Sequence, residues 1–169
     1  NELKIYVIID FHNDTSGGTR TPVNIETVLV NIWKQIAARY KDSGKYIAYE
    51  VYNEPHGIDK FRWAKVAENV VSEIRKIDLQ HYIIVGGADW NSFDAMKILP
   101  KFDDDKIIYN FHFYEPMLFT HQGASWNGMG RLKNIPFPYD KDRMPKIPQN
   151  PTKDENWYYS KSYNFYVLK

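Results

Sequence analysis

The chain has 169 residues, with 22 Lys and Arg against 21 Asp and Glu, 43% hydrophobic residues, 16% aromatics and no cysteine, which suits one packed core and excludes a disordered chain. A formal charge of +1 sets up no field that would draw nucleic acid or an anionic membrane, so neither is expected as a partner. Disulfides, thiolate zinc sites and thiol nucleophiles are excluded, no apolar stretch approaches the roughly 18 residues of a membrane span, and Asn1-Glu2-Leu3-Lys4 lacks the pattern of a signal peptide.

Ile5-Tyr6-Val7-Ile8-Ile9 is a continuous β-forming run followed by Asp10-Phe11-His12-Asn13-Asp14 and Thr15-Ser16-Gly17-Gly18. This predicts a strand buried on both faces, with polar residues at its C-terminal end. Thr21 can cap a helix with Pro22 at its first position, and Val28, Leu29, Ile32, Trp33, Ile36 and Ala37 recur at helical spacing up to Gly44. The unit then repeats. Tyr46 to Tyr52 predicts a second strand with Asn53-Glu54-Pro55-His56-Gly57 at its tip, and Asp59 can cap a helix carrying Phe61, Ala64, Ala67, Val70, Val71, Ile74 and Ile77. A third strand, Tyr82 to Gly86, ends in Gly87-Ala88-Asp89-Trp90-Asn91 and precedes a short helix towards Leu99-Pro100. A fourth, Lys106 to Phe111, ends in His112-Phe113-Tyr114-Glu115-Pro116.

Strand, polar tip and helix at roughly 35-residue spacing is the pattern of βα units around a parallel sheet rather than of a solenoid. The fold class is therefore α/β, with residues 1–169 read as a single domain. In such folds ligands bind beyond the C-terminal strand ends, where all four polar clusters fall. Residues 116–156, with Pro136, Pro138, Pro145, Pro148 and Pro151, read as a long loop over one end. The aromatic tail from Asn156 to Lys169 has room for a last helix but no firm assignment.

Tyr52-Asn53-Glu54-Pro55 is the sharpest motif. Pro55 disfavours the helical conformation at Glu54 and predicts an extended backbone there, with the carboxyl presented at the sheet rim. Burial among Tyr49, Tyr52 and Trp90 would raise its pKa towards that of a general acid, whereas a loop-capping role would leave it unperturbed. The aromatic surplus, 5 Trp, 13 Tyr and 9 Phe, fits either a sugar-stacking cleft or a Tyr-rich core. His56, His81 and His121 have no ligand-like spacing, so neither metal nor cofactor is expected.

Asn53-Glu54-Pro55 after a strand, with Ile8-Ile9-Asp10-Phe11-His12 upstream and His112-Phe113-Tyr114 downstream, resembles glycoside hydrolase family 5, the cellulase and endoglucanase family. The match runs from residue 5 to about 126, through Ile83-Ile84-Val85-Gly86-Gly87 with Trp90 and Phe119-Thr120-His121-Gln122-Gly123 with Trp126. It implies part of a (β/α)8 barrel acting on a β-glucan, with secretion as the family norm. Residue by residue, Glu54 would be the general acid/base and Asn53 would bond the sugar 2-hydroxyl. His12, His112 and Tyr114 would line the subsite, and Trp90 and Trp126 would be sugar platforms, packed core being the other reading for the tryptophans.

The same resemblance places the chain at the third to sixth βα units of the barrel, without the second-strand arginine, seventh-strand glutamate nucleophile or eighth-strand tryptophan. A full barrel takes about 250 residues, so this is a half-barrel whose open edges and uncovered face favour a homodimer. Closing a ring with a second copy would bring the partner's first strand, with its Asp10, His12 and Asp14, towards Glu54, making Asp10 or Asp14 a candidate substitute nucleophile. Glu115 is an intrachain alternative or a solvated loop residue. A hydrolase that uses Glu54 thus stands against a non-catalytic carbohydrate-binding homologue. An unrelated hydrolase ranks last, for want of a Gly-x-Ser-x-Gly elbow or a phosphate loop.

Overall fold

In the computed structural model, which describes residues 3–12, 21–157 and 159–160, four short strands pair in parallel and in chain order: β1 (Val7–Asp10), β2 (Ile47–Glu50), β3 (Tyr82–Gly86) and β4 (Ile107–Asn110). Two 16-residue helices, α1 (Ile25–Tyr40) and α2 (Lys60–Arg75), make the first two crossovers. The sheet and helices lie in the first of two compact units, Asn1–His112 and Phe113–Lys169. This is the α/β arrangement of a partial barrel. Asp14 and residues 161–169 lie outside the described residues.

Side chains alternate along each strand, and the register sorts them onto two faces. Ile9, Tyr49, Val51, Ile83, Val85 and Ile107 face the helices and join the main core with Leu29, Trp33, Ala37, Trp63, Ala67, Val70 and Ile74. The opposite face carries Ile8, Ala48, Ile84 and Ile108, with Asp10, Glu50 and Asn110 at the C-terminal end. Ile8 is 55% exposed and Ile108 44%. The first strand, expected to be buried on both faces, is therefore an exposed edge: among the described residues only β2 pairs with it.

Asp59 caps α2 as its position suggests, its carboxylate accepting the Phe61 and Arg62 backbone N–H groups. Thr21 does not cap α1. Its hydroxyl accepts the His56 backbone N–H at 3.0 Å, and the helix begins at Ile25 behind Asn24. The apolar stripe of α2 is the expected one from Ala64 to Ile74, but at its start Phe61 is exposed and Trp63 is buried instead. The reason is a polar anchor: the Trp63 indole N–H donates to the Gly86 carbonyl at 2.9 Å, as Trp33 of α1 donates to Val51 at 3.0 Å. Each helix is thereby pinned to a strand end that carries polar residues.

The N-terminal end of the sheet is closed by a buried polar cluster. Asp78 Oδ2 accepts from the Tyr49 hydroxyl at 2.7 Å and lies 2.6 Å from His81 Nδ1, while Oδ1 accepts the Gln80 and His81 backbone N–H groups. His81 Nε2 meets the Gly44 carbonyl at 2.8 Å. Arg75 ties the cluster to β4 by donating to Asp104 Oδ2 at 2.6 Å and to the Asp78 carbonyl at 3.0 Å. Burial alone would raise the Asp78 pKa, but the donors of Gln80, Tyr49 and His81 outweigh it and hold the carboxyl below its usual range. Tyr49 is pushed upward by burial and by Asp78.

In the second unit Leu118, Met129, Leu132, Ile135 and Tyr159 form a small core. Thr152 and Glu155 make a reciprocal cap, the Thr152 N–H reaching Glu155 Oε2 at 2.8 Å and the Glu155 N–H reaching the Thr152 hydroxyl at 3.1 Å. Residues 153–157 are helical. Arg131 donates to the buried Glu155 carboxylate from Nε at 3.0 Å.

Replacing Asp78 with Ala strands four donors in the core and is expected to lower unfolding free energy by roughly 3–5 kcal/mol in urea titrations. Because the folded pKa of Asp78 is depressed, its contribution is present above the unfolded value of about 3.9 and is lost as pH falls through the folded value. Stability of the Asp78→Asn variant should therefore decline less than wild type on acidification below about pH 5.

Candidate active site

The C-terminal ends of β1, β2 and β4 bring together residues distant in sequence. Backbone bonds continue past the strands, with Phe11 N–H to Glu50 O at 3.3 Å, Asn53 N–H to Phe11 O at 3.0 Å and His112 N–H to Asn91 O at 2.9 Å. These place Glu54 Oε1 2.6 Å from His112 Nδ1. Both side chains are partly exposed, His112 by 20% and Glu54 by 29%, so the pair is reachable from solvent. Beside it His12 Nε2 lies 3.3 Å from Asn53 Nδ2, and His12 Nδ1 lies 2.9 Å from Asp10 Oδ2.

Glu54 is not extended as Pro55 suggested; its φ is +54°. The proline excludes the right-handed helical region but not a left-handed turn, and this turn is held from several sides. His56 Nδ1 lies 2.9 Å from the Glu54 carbonyl, the Trp90 N–H donates to Pro55 O at 3.2 Å, and the Thr21 N–H donates to His56 O at 2.8 Å. A left-handed non-glycine residue costs roughly 1–3 kcal/mol, which these bonds offset. Two of the aromatics expected around the Glu54 carboxyl have other partners. Tyr49 lies on the helix-facing side against Asp78 and Trp33, and Trp90 stacks on His56 with centroids 4.9 Å apart and planes 7° apart. Glu54 has an imidazole as its bonded partner instead.

Three residues at the site carry no sequence motif. Glu50 Oε1 accepts from Asn110 Nδ2 at 2.9 Å, and that amide nitrogen also faces His112 Nε2 at 3.5 Å. Asn91, fully buried, puts its Nδ2 3.3 Å from the same ring nitrogen. Burial chiefly, and then the charge of Asp10, raise the pKa of Glu50, while the Asn110 bond opposes the rise. The available signal for Glu50 was its place in the pleat, an acid on the face opposite Tyr49. Asn91 depends on three successive left-handed residues, Asp89, Trp90 and Asn91, with φ of 54°, 58° and 54°, which no local pattern announces.

Among the remaining sequence candidates, Trp90 is 57% exposed and Trp126 78%. Tyr114 and Trp126 belong to the second unit, where the His121 ring lies edge-on to both at 5.1 and 5.4 Å. Glu115, also there, accepts the Met117 N–H at 3.1 Å. Asp10 has Oδ2 engaged by His12 and Oδ1 buried, which makes it a support for His12 within its own chain.

The model of the family described as cellulase, glycosyl hydrolase family 5, matches residues 1–167. The chain belongs to this family. It is 37% identical over 129 residues to Endoglucanase C of Acetivibrio thermocellus, covering 75% of this chain and 38% of that protein. Among solved structures, Thermotoga maritima Cel5A in complex with cellobiose superposes with a TM-score of 0.66 at 29% identity, over 94% of this chain and 48% of that one. The same enzyme in complex with mannotriose gives 0.65 at 28% identity, over 94% and 48%. The chain thus spans well under two thirds of the length of these relatives.

Gly86 makes room for Asn91: a Cβ there would sit 2.5 Å from the Asn91 amide group. Gly86→Ala is expected to displace that amide and to cost about 1–3 kcal/mol, read as a lower urea midpoint; an unchanged midpoint would show that the strand end has slack.

Proposed function

We propose that this chain carries the acid/base half of an endo-β-1,4-glucanase active site. The observation that carries the reading is the Glu54 carboxylate held 2.6 Å from His112 at the C-terminal rim of a parallel sheet, beside Asn53. Glu54 protonates the glycosidic oxygen as the bond to the anomeric carbon breaks, and then takes a proton from the water that releases the sugar. The His112 contact holds one carboxylate oxygen while the other transfers the proton. Asn53, oriented through His12 and Asp10, bonds the sugar 2-hydroxyl. His12 bounds the subsite, and the exposed ring of Trp90 offers a flat apolar surface to a pyranose face; the family resemblance gives Tyr114 and Trp126 the same kinds of role. The substrate is a polymeric β-glucan, which lies outside the cell, so secretion goes with this reading.

Retaining hydrolysis takes a second carboxyl about 5–5.5 Å from the first. Within one chain Asp10 and Glu50 are engaged by His12 and Asn110. The nucleophile is then supplied from beyond these four strands, and a homodimer joined through the exposed β1 and β4 edges, with Asp10 or Asp14 of the second copy approaching Glu54, is one way to supply it. Exposed Ile5, Val7, Ile8 and Ile108 favour such pairing.

On carboxymethylcellulose, Glu54→Gln is expected to lower turnover by about 10²–10⁴-fold with the fold intact. Binding of cello-oligosaccharides with no turnover in either protein would identify a carbohydrate-binding homologue instead. Sedimentation gives the mass directly: a dimer whose turnover falls in Asp10→Asn or Asp14→Asn supports self-completion, and a monomer removes it.

A further inference from the structure

We propose that Glu50, Asn110 and Asn91 fix His112 in the neutral tautomer that carries its proton on Nδ1, which makes them positioning residues for Glu54. This rests on the reading of Glu54 as the acid/base. Of the two ends of the Asn110 amide, the NH2 is the one that can meet a carboxylate oxygen. The 2.9 Å contact to Glu50 Oε1 therefore sets which way that amide points. Its remaining N–H is directed at His112 Nε2, 3.5 Å away, and the Asn91 NH2 faces the same atom at 3.3 Å. The Asn110 amide, turned by Glu50, sets the donor at this ring nitrogen; the buried Asn91 Oδ1 has no hydrogen-bond partner among the described residues, so Asn91 follows that choice by presenting its NH2. A proton on Nε2 would set N–H against N–H, so Nε2 keeps its lone pair and the proton resides on Nδ1.

That proton points along the 2.6 Å contact to Glu54 Oε1. A neutral donor there stabilises the Glu54 carboxylate as it forms and leaves no second charge to be discharged during turnover. The neighbouring histidine is built the same way: the Asn53 NH2 faces His12 Nε2 at 3.3 Å, and Nδ1 meets Asp10 Oδ2 at 2.9 Å. Each histidine thus has an amide on one side and a carboxylate on the other. The anchor specific to His112 is Glu50, on the strand between those of Asp10 and Ile84, and its carboxylate reaches across to β4. Gly86 contributes by lacking the Cβ that would occupy the place of the Asn91 amide.

Long-range proton–nitrogen correlation spectra of the 15N-labelled chain at about pH 8.5, where an ordinary imidazole is neutral, distinguish the tautomers, since an unprotonated ring nitrogen resonates far downfield of a protonated one. His112→Gln assigns the ring. Wild type is expected to show Nε2 unprotonated and Nδ1 protonated. Asn110→Asp, which turns a donor into an acceptor, and Glu50→Leu, which frees the Asn110 amide, should each raise the Nε2–H to Nδ1–H ratio about tenfold. Glu50→Gln, which retains an acceptor oxygen, should keep the wild-type pattern. A protonated Nε2 in wild type overturns the proposal without any variant, and so does a wild-type pattern in both Asn110→Asp and Glu50→Leu. A Glu50→Gln spectrum like that of Glu50→Leu also overturns it. The spectra need no turnover, so loss of the glucanase reading through an active Glu54→Gln, and loss of this one, are separate results.

Discussion

The contact between Glu54 and His112 joins residues 58 positions apart, and it exists because β2, β3 and β4 run parallel and end together. In a parallel ladder each crossover returns the chain to the same edge, so polar residues placed after successive strands converge without contacting one another locally. Here Glu54 follows β2, Asn91 follows β3 and His112 follows β4. A slip of one residue in any strand would turn that strand's tip to the other face and break the contact. The register is held from both ends: by the indoles of Trp33 and Trp63 near the rim, and by the Asp78 cluster with Arg75 at the opposite end. The first set of anchors is neutral and indifferent to pH. The second depends on an ionised Asp78, so acid loosens the end of the sheet remote from the site.

Two faces of the same strands follow different rules. The helix-facing residues are aromatic and branched apolar, packed against α1 and α2. The other face is mixed: Ile8, Ala48, Ile84 and Ile108 low on the strands, then Asp10, Glu50 and Asn110 at the rim. In a closed barrel that face would be interior, filled by side chains from alternate strands. The exposure of Ile8 and Ile108 in this chain is thus a property of the open sheet. The polar rim belongs to the site, since its members reach His12 and His112 rather than solvent alone.

Most of the architecture was legible in the sequence. The apolar runs located all four strands to within a few residues, and Asp59 marked the start of α2. Asn53-Glu54-Pro55, His12 and His112 stand out in the sequence as polar strand ends, and the fold brings them together. What escaped had a common physical cause: it was decided across the sheet and not along the chain. Thr21 has the right residue type and position for a helix cap, yet its hydroxyl serves His56. Pro55 rules out one conformation at Glu54, but the turn that replaces it is set by bonds from Trp90, His56 and Thr21. Burial of β1 is read correctly from composition only if a further strand pairs with it. Glu50 and Asn91 carry their meaning in cross-strand partners, which local spacing does not encode.

The charge arrangement at the rim separates the carboxyl groups by partner. Two carboxylates brought close together cannot both ionise freely. In this chain that kind of repulsion is felt by Glu50, whose pKa is raised by burial and then by Asp10. Glu54 itself faces an imidazole, a partner that orients its carboxyl group. In the proposed reaction a second carboxylate would attack the anomeric carbon from the far side of the sugar. What these four strands build is the position of the Glu54 carboxyl, fixed by a partner that enters the chain two strands later.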